Sequence, residues 1–217
     1  SIGGDMAWEI LHFLADNRPY EATQFFHTYG DREEVQEWID VAKKKDIGTI
    51  AMKTMGGVGR ASHDEKFKKL LADPKYQGST PGAAMVKWLK SNQNLTAAVI
   101  ATKNFDQFRE NSGAAAGVVM NPQDHAALTL LAAHNKGLTC LLCAECVSSC
   151  PEHIGIADIF RYERYALDYL DIERAKKEYT ALTRNGTSCV GCGDCLPTCI
   201  QEIDIAAKLK DVHRLLG

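Results

Sequence analysis

The chain predicts two parts of different class: an α/β part over residues 1–118 and an all-α part over residues 119–217. Three observations predict this. Short apolar strands alternate with amphipathic helices up to about residue 118, the pattern of parallel βαβ units. After that point strand signals stop and helical periodicity runs to the C-terminus. All eight cysteines lie in the second part, in two runs of matching spacing.

The elements follow in order. "DMAWEILHFLADN" sets Met6, Ile10, Leu11 and Leu14 at helical spacing, with Asp5 as a cap. "PYEATQFFHTYG" reads as a strand that stops at Gly30. "DREEVQEWIDVAKKKD" is an amphipathic helix with Val35, Trp38, Ile39 and Ala42 on one stripe. Its acidic start and lysine end suit the helix dipole. "IGTIAMKTM" is an apolar strand closed by "GGVGR", and a helix follows around "HDEKFKKLLAD". "STPGAAMVKWLKSN" has Thr80 as N-cap and Pro81 at the first helical position. "LTAAVIAT" reads as a third strand and "NFDQFRENSGAAAG" as the helix after it. Three parallel strands cannot close a barrel, and alone they would leave an exposed edge, so this part reads as incomplete.

The second part opens with a helix at Asn121 and Pro122. "GIADIFRYERYALDYLDIERAKKEYTALT" is helical with a break near Asp171, and "DIAAKLKDVHRLLG" closes the chain as another helix. Apolar residues make up 45% and charged residues 24%, as in soluble globular proteins. A net charge of −3 points to neither nucleic acid nor an anionic membrane. No apolar run approaches the roughly 18 residues of a membrane span, and no signal peptide is visible. The chain starts at Ser1 without methionine, which leaves two readings: a removed segment, or a piece of a longer chain.

The cysteine runs carry the chemistry. "CLLCAECVSSCP" holds Cys140, Cys143, Cys146 and Cys150 at x2, x2, x3 spacing. "CVGCGDCLPTC" repeats that spacing 49 residues later with Cys189, Cys192, Cys195 and Cys199. Disulfide frameworks belong mainly to small domains that cannot build a core, and this chain has ample apolar sequence. Tight x2 spacing suits chelation of one object. Two objects fit: a zinc ion, since paired C-x2-C elements form zinc ribbons, and an iron–sulfur cluster.

The full spacing with its terminal proline resembles the motif of two-cluster bacterial ferredoxins. There the fourth cysteine of each run serves the other cluster. That resemblance implies two [4Fe–4S] clusters, one on Cys140, Cys143, Cys146 and Cys199, the other on Cys189, Cys192, Cys195 and Cys150. Pro151 matches the motif, whereas Ile200 stands at the second proline position. The 38 residues between Cys150 and Cys189 read as helix, which is similar to the α-helical ferredoxin domains of respiratory reductase iron–sulfur subunits. Tyr162, Tyr165, Tyr169 and Tyr179 line this stretch; packing is the first role expected of them, electron conduction the second.

"IGTIAMKTMGG" and "AAMVKWLKSNQNLTAAVIATKNFDQFREN", followed by these cysteine motifs, together resemble bacterial aldo-keto reductases with a C-terminal iron–sulfur extension. The resemblance covers almost the whole chain. It implies the last three or so units of a (β/α)8 TIM barrel, with the three strands as the sixth to eighth, followed by an α-helical two-cluster ferredoxin domain. It implies NAD(P)H as cofactor and a carbonyl or alcohol as substrate of the full-length parent. Residue by residue, it places Gln24 at the nicotinamide carboxamide and Met52 where the family usually stacks an aromatic. Lys53, Gly56 and Gly57 come near the pyrophosphate, Thr102 near the ribose or its 2′-phosphate, and Glu110 and Asn111 at the adenine. Gln107 stands where many members use arginine for the 2′-phosphate, so preference for NADPH is unsupported. The family's catalytic Asp, Tyr, Lys and His come from strands upstream of Ser1. His12, His27 and His63 fall outside that motif, so no catalytic residue is expected in this chain.

The function expected is therefore an iron–sulfur oxidoreductase fragment. The alternative is a stand-alone electron-transfer module that docks on a redox partner protein. Nucleic acid and a membrane span are not expected. Reduced thiolates and oxygen-labile clusters imply the cytoplasm, with twin-arginine export as the other route.

Overall fold

A computed structural model describes residues 7–17, 20–31, 33–117 and 119–217. The expected cap Asp5 and the apolar Met6 lie outside the described residues. The chain divides into two compact units, Trp8–Asn135 and Lys136–Gly217.

The first unit mixes helix and sheet. Strands β1 (Ala22–Phe26), β2 (Gly48–Met52) and β3 (Ala97–Ala98) form a parallel sheet in sequence order. Gln24 pairs with Ile50 and Phe26 with Met52; Ala51 pairs with Ala98. Helix α1 (Ala7–Asn17) precedes β1, and α2 (Glu33–Lys44) links β1 to β2. Helices α3 (Val58–Ala61), α4 (Glu65–Leu71) and α5 (Pro81–Ser91) lie between β2 and β3, with a 3₁₀ turn at Pro74–Tyr76. Helices α6 (Phe105–Ala115) and α7 (Pro122–Asn135) follow.

The local signals act as read. The α2 stripe Val35, Trp38, Ile39 and Ala42 is buried, and Trp38 meets Leu11, Ala15, Phe25 and Ile47 in one apolar cluster. Burying each large apolar side chain stabilises by about 1.5–3 kcal/mol. Asp64 caps α4, accepting from the Lys66 N–H at 2.7 Å. Thr80 caps α5 by accepting from the Ala83 N–H, with Pro81 in the first turn. Asn104 caps α6 in the same way through the Gln107 N–H.

Two expectations change. The third strand, read over residues 95–102, pairs only at Ala97–Ala98. Beyond it the Val99 N–H still reaches the Ala51 carbonyl at 2.8 Å. The Thr54 hydroxyl then takes the Val99 carbonyl at 3.0 Å, so a side chain replaces the ladder and Val99 is left exposed. The second change is the boundary, which falls after Asn135 rather than after residue 118. Helix α7 stays with the first unit because buried Lys87 of α5 meets fully buried Asp124 at 2.8 Å. Leu128 and Leu131 join Met85 and Leu89 in a second apolar cluster.

The sheet is covered unevenly. Phe25, Thr49 and Ala51 point into buried surroundings. On the opposite face Gln24 and Ala97 are exposed, and Phe26, Ile50 and Met52 are half-buried.

The second unit is helical. Helices α8 (Glu145–Ser148), α9 (Ile156–Leu167), α10 (Ile172–Thr180) and α11 (Ile205–Leu216) pack with a 3₁₀ turn at Gly186–Ser188. The break expected near Asp171 is real: Asp171 caps α10 through the Arg174 N–H. Ile154, Ile156, Ile159, Phe160, Tyr179, Ile203, Ile205 and Leu209 make one core together with Cys146 and Cys150.

The cysteine repeat extends into three dimensions. Each run is followed by a 12-residue helix, α9 or α11, and the offset of 49 residues persists through it. The Val147 N–H bonds the Ala144 carbonyl and the Leu196 N–H bonds the Gly193 carbonyl, both at 2.9 Å. Cys150 and Cys199 repeat the match one turn later, bonding Val147 and Leu196 at 3.2 Å. Ile154 and Ile203 then fill equivalent places in the core.

Candidate metal centres

Each cysteine loop is shaped by left-handed residues at fixed places. Leu142 (φ 60°) and Ala144 (φ 70°) bend the first loop; Gly191 (φ 73°) and Gly193 (φ 87°) bend the second. His153 (φ 49°) and Glu202 (φ 52°) then turn each chain into its helix. A left-handed residue other than glycine costs roughly 1–2 kcal/mol, so the first loop holds its shape against strain. Such strain persists where the surrounding structure over-determines it.

The bends bring cysteines of both runs together. Cys140, Cys143, Cys146 and Cys199 line one cavity of about 360 Å³, partly open to solvent, with Phe160, Gln201 and Ile203. Cys150, Cys189, Cys192 and Cys195 line another of about 400 Å³, with Pro151, Ile154 and Leu209. This grouping is the crossed one that the ferredoxin spacing implies. None of the eight cysteines forms a disulfide.

Among the described residues no group of three or more His, Cys, Asp or Glu side chains is set to hold a metal ion.

Burial governs the thiols. Burial pushes the Cys140 thiol up to about 12, and the charges of Cys143 and Cys199 add to it. The Leu142 N–H, 3.3 Å from Cys140 Sγ, and the Arg164 guanidinium act in the opposite sense. Burial likewise raises Cys146, with further contributions from Cys140, Cys143, Cys199 and Cys195. Cys195 is raised by burial and by Cys150, Cys189 and Cys192. Each quartet thus acts on itself electrostatically, and Cys146 also feels Cys195 across the two. A cation bound among these sulfurs would displace their protons and offset the charge.

The donor set fits an iron–sulfur cluster. It is four soft thiols per cavity with apolar walls, the ligand type that selects iron–sulfur, zinc or copper(I). Gln201, which lines the first cavity, also has a buried Oε1 with no hydrogen-bond partner among the described residues. The sequence reading missed Leu142, Ala144, Arg164 and Gln201. Only "GCG" of the second run signalled that these loops turn left-handed.

The residues implied at a nicotinamide site lie in the first unit and line neither cysteine cavity. Gln24 and Met52 sit on the less covered face of the sheet, and Lys53 follows β2 with φ 56°. The Thr28 hydroxyl donates to the Thr54 carbonyl at 3.0 Å, tying the strand ends together at this edge. Gly56 and Gly57 are buried. A Cβ on Gly57 (φ 74°) would land on the Asn135 carboxamide, and one on Gly56 would crowd Thr28. Asn135 Nδ2 donates to the Gly56 carbonyl at 3.2 Å. Thr102 and Glu110 are exposed and Asn111 is half-buried; Glu110 accepts from the Thr80 hydroxyl at 2.7 Å.

Comparison with family models, with curated proteins and with solved structures finds no match to this chain.

Proposed function

We propose that this chain is the iron–sulfur part of an oxidoreductase, holding two [4Fe–4S] clusters in its second unit. The observation that carries this is the crossed grouping of eight cysteines around two cavities. Cys140, Cys143, Cys146 and Cys199 would hold one cluster; Cys150, Cys189, Cys192 and Cys195 would hold the other. When bound, each cluster supplies a site that accepts and returns one electron. The chain's own residues would hold the sulfurs and wall the sites with apolar side chains: Phe160, Ile203 and Ile205 wall one site, Ile154, Ile156 and Leu209 the other. Arg164 places positive charge near Cys140.

In the same proposal the first unit is the end of an aldo-keto reductase-like barrel, whose parent reduces a carbonyl with NAD(P)H. The support is a parallel sheet in sequence order with one face buried and the other partly exposed. Isolated parallel sheets normally have both faces covered, whereas a barrel turns one face inward. A second reading, an electron-transfer module without catalysis of its own, gains from Gly57. Asn135 packs against Gly57, the residue that the resemblance puts near the pyrophosphate.

Anaerobic reconstitution of the full chain with iron and sulfide tests the main reading. About eight irons, with visible absorbance that bleaches on one-electron reduction, is the expected result. Cys199→Ala should cost the Cys140/Cys143/Cys146 cluster and spare the other. Uptake of zinc in place of iron would refute it. Nicotinamide binding by the loaded chain separates the two readings of the first unit.

A further inference from the structure

We infer that electrons enter and leave beside Gly191, at the Cys150/Cys189/Cys192/Cys195 cavity that Gly191 lines, rather than beside Leu142, the buried residue at the equivalent position of the other loop. The inference rests on the two-cluster reading above. Its basis is a position-by-position difference between two loops of the same backbone shape.

Two residues after its first cysteine, each loop has a left-handed residue. In the first loop it is Leu142, 4% exposed despite the strain its side chain adds. In the second it is Gly191, which is exposed. A Cβ at Gly191 would meet nothing within 4 Å. Crowding therefore does not demand glycine there, and Leu142 shows that the backbone shape tolerates a side chain. What the glycine leaves is open space beside Cys189 and Cys192.

The neighbouring positions shift the same way. Cys143 is half-buried and its equivalent Cys192 is exposed. Leu141 is half-buried where Val190 is 66% exposed. Val147 is half-buried where Leu196 is 43% exposed. Glu145 is half-buried where Asp194 is exposed. Electron transfer without bond formation weakens steeply with separation, so the site with the bare edge exchanges faster with a carrier outside. In that exchange one electron passes to a one-electron acceptor, which is reduced as the site is oxidised. No bond forms and no proton moves.

The test uses the loaded full chain, reduced anaerobically and mixed with hexaammineruthenium(III) in a stopped-flow instrument. Iron and sulfide are counted first; a chain that takes up no clusters refutes the two-cluster reading and leaves the asymmetry of the loops as a separate fact. With iron content and midpoint potentials unchanged, Gly191→Leu should slow oxidation by about fivefold or more, equal to about 1 kcal/mol of barrier. Leu142→Gly should leave the wild-type rate within about twofold, about 0.4 kcal/mol. Where Gly191→Leu loses iron, Gly191→Ala replaces it, with the same direction expected. Broadening of the electron paramagnetic resonance signal by a dysprosium chelate gives a second readout, in which the Gly191 variant should be less affected than wild type. An unchanged rate and broadening in the Gly191 variants would overturn the inference. So would a large acceleration in Leu142→Gly.

Discussion

The two units hold themselves together by different means. In Trp8–Asn135 the interior is closed by side chains alone: Trp38, Ile39 and Ala42 are fully buried, and the charged pair Lys87–Asp124 is satisfied within the protein. In Lys136–Gly217 the core runs up to two cavities walled by thiols. In the two-cluster proposal the clusters would complete that core. The lesson is that one chain can combine a unit whose buried interior is made of its own side chains with one whose fold, on the two-cluster proposal, would be coupled to its cofactor.

Stripping iron and sulfide is the largest way to break this comparison. Anaerobic chelation should cost the second unit its fold, a loss comparable with the whole stability of a small domain, about 5 kcal/mol or more. Limited proteolysis should then cut within residues 140–217 and spare the first unit. Equal protection of both units after chelation would end the distinction.

Next in size is the buried ion pair. Lys87→Met leaves Asp124 as an uncompensated buried charge and should destabilise the first unit by about 3–5 kcal/mol in urea. The iron content should not change. Replacing both partners by apolar residues should recover most of the loss. A neutral single variant would mean that Ser79 and Asn121, which donate backbone N–H groups to Asp124, satisfy it alone.

A smaller effect is expected at Gly57. Gly57→Ala adds a methyl group against Asn135 at positive φ and should cost about 2 kcal/mol. Gly59→Ala, where a Cβ meets nothing within 4 Å, should stay within about 0.5 kcal/mol. Equal values would remove the packing account of Gly57 and return it to the pyrophosphate role.

Acid sensitivity is of similar size. Burial works against the Asp124 carboxylate, but Lys87 and the Ser79 and Asn121 donors outweigh it and hold its pKa at about 2. The folded value lies below the ordinary aspartate value of 3.8, so the charged form stabilises the fold above pH 3.8. That contribution, on the order of 2 kcal/mol, is lost as pH falls through about 2. Asp124→Asn should flatten this part of the pH–stability curve of the first unit; an unchanged slope would assign the acid transition elsewhere.

Much of this was legible in the residues. The α2 stripe, the cap Thr80, the break at Asp171 and the spacing of the cysteines are all local. Each depends on residues within a turn or two, where periodicity and capping chemistry act directly. The extent of β3 was not, because whether Val99 pairs as a strand depends on Thr54, 45 residues away. The allegiance of α7 was not either. Its sequence is helical in any context, and only the meeting of Asp124 with Lys87 assigns it to the first unit.

At the cysteine site the sequence by itself determined the residue type, the number of thiols and their repeat. Spacing along a chain is enough to decide which thiols a short loop can aim at one object. Tertiary structure decided the rest. It brings Cys199 beside Cys140 and Cys150 beside Cys189, it buries Leu142, and it leaves Gly191 open. Those outcomes depend on how α9 and α11 pack on a shared core. Packing sums contacts between residues far apart in sequence, so no short stretch of this chain carries that information alone.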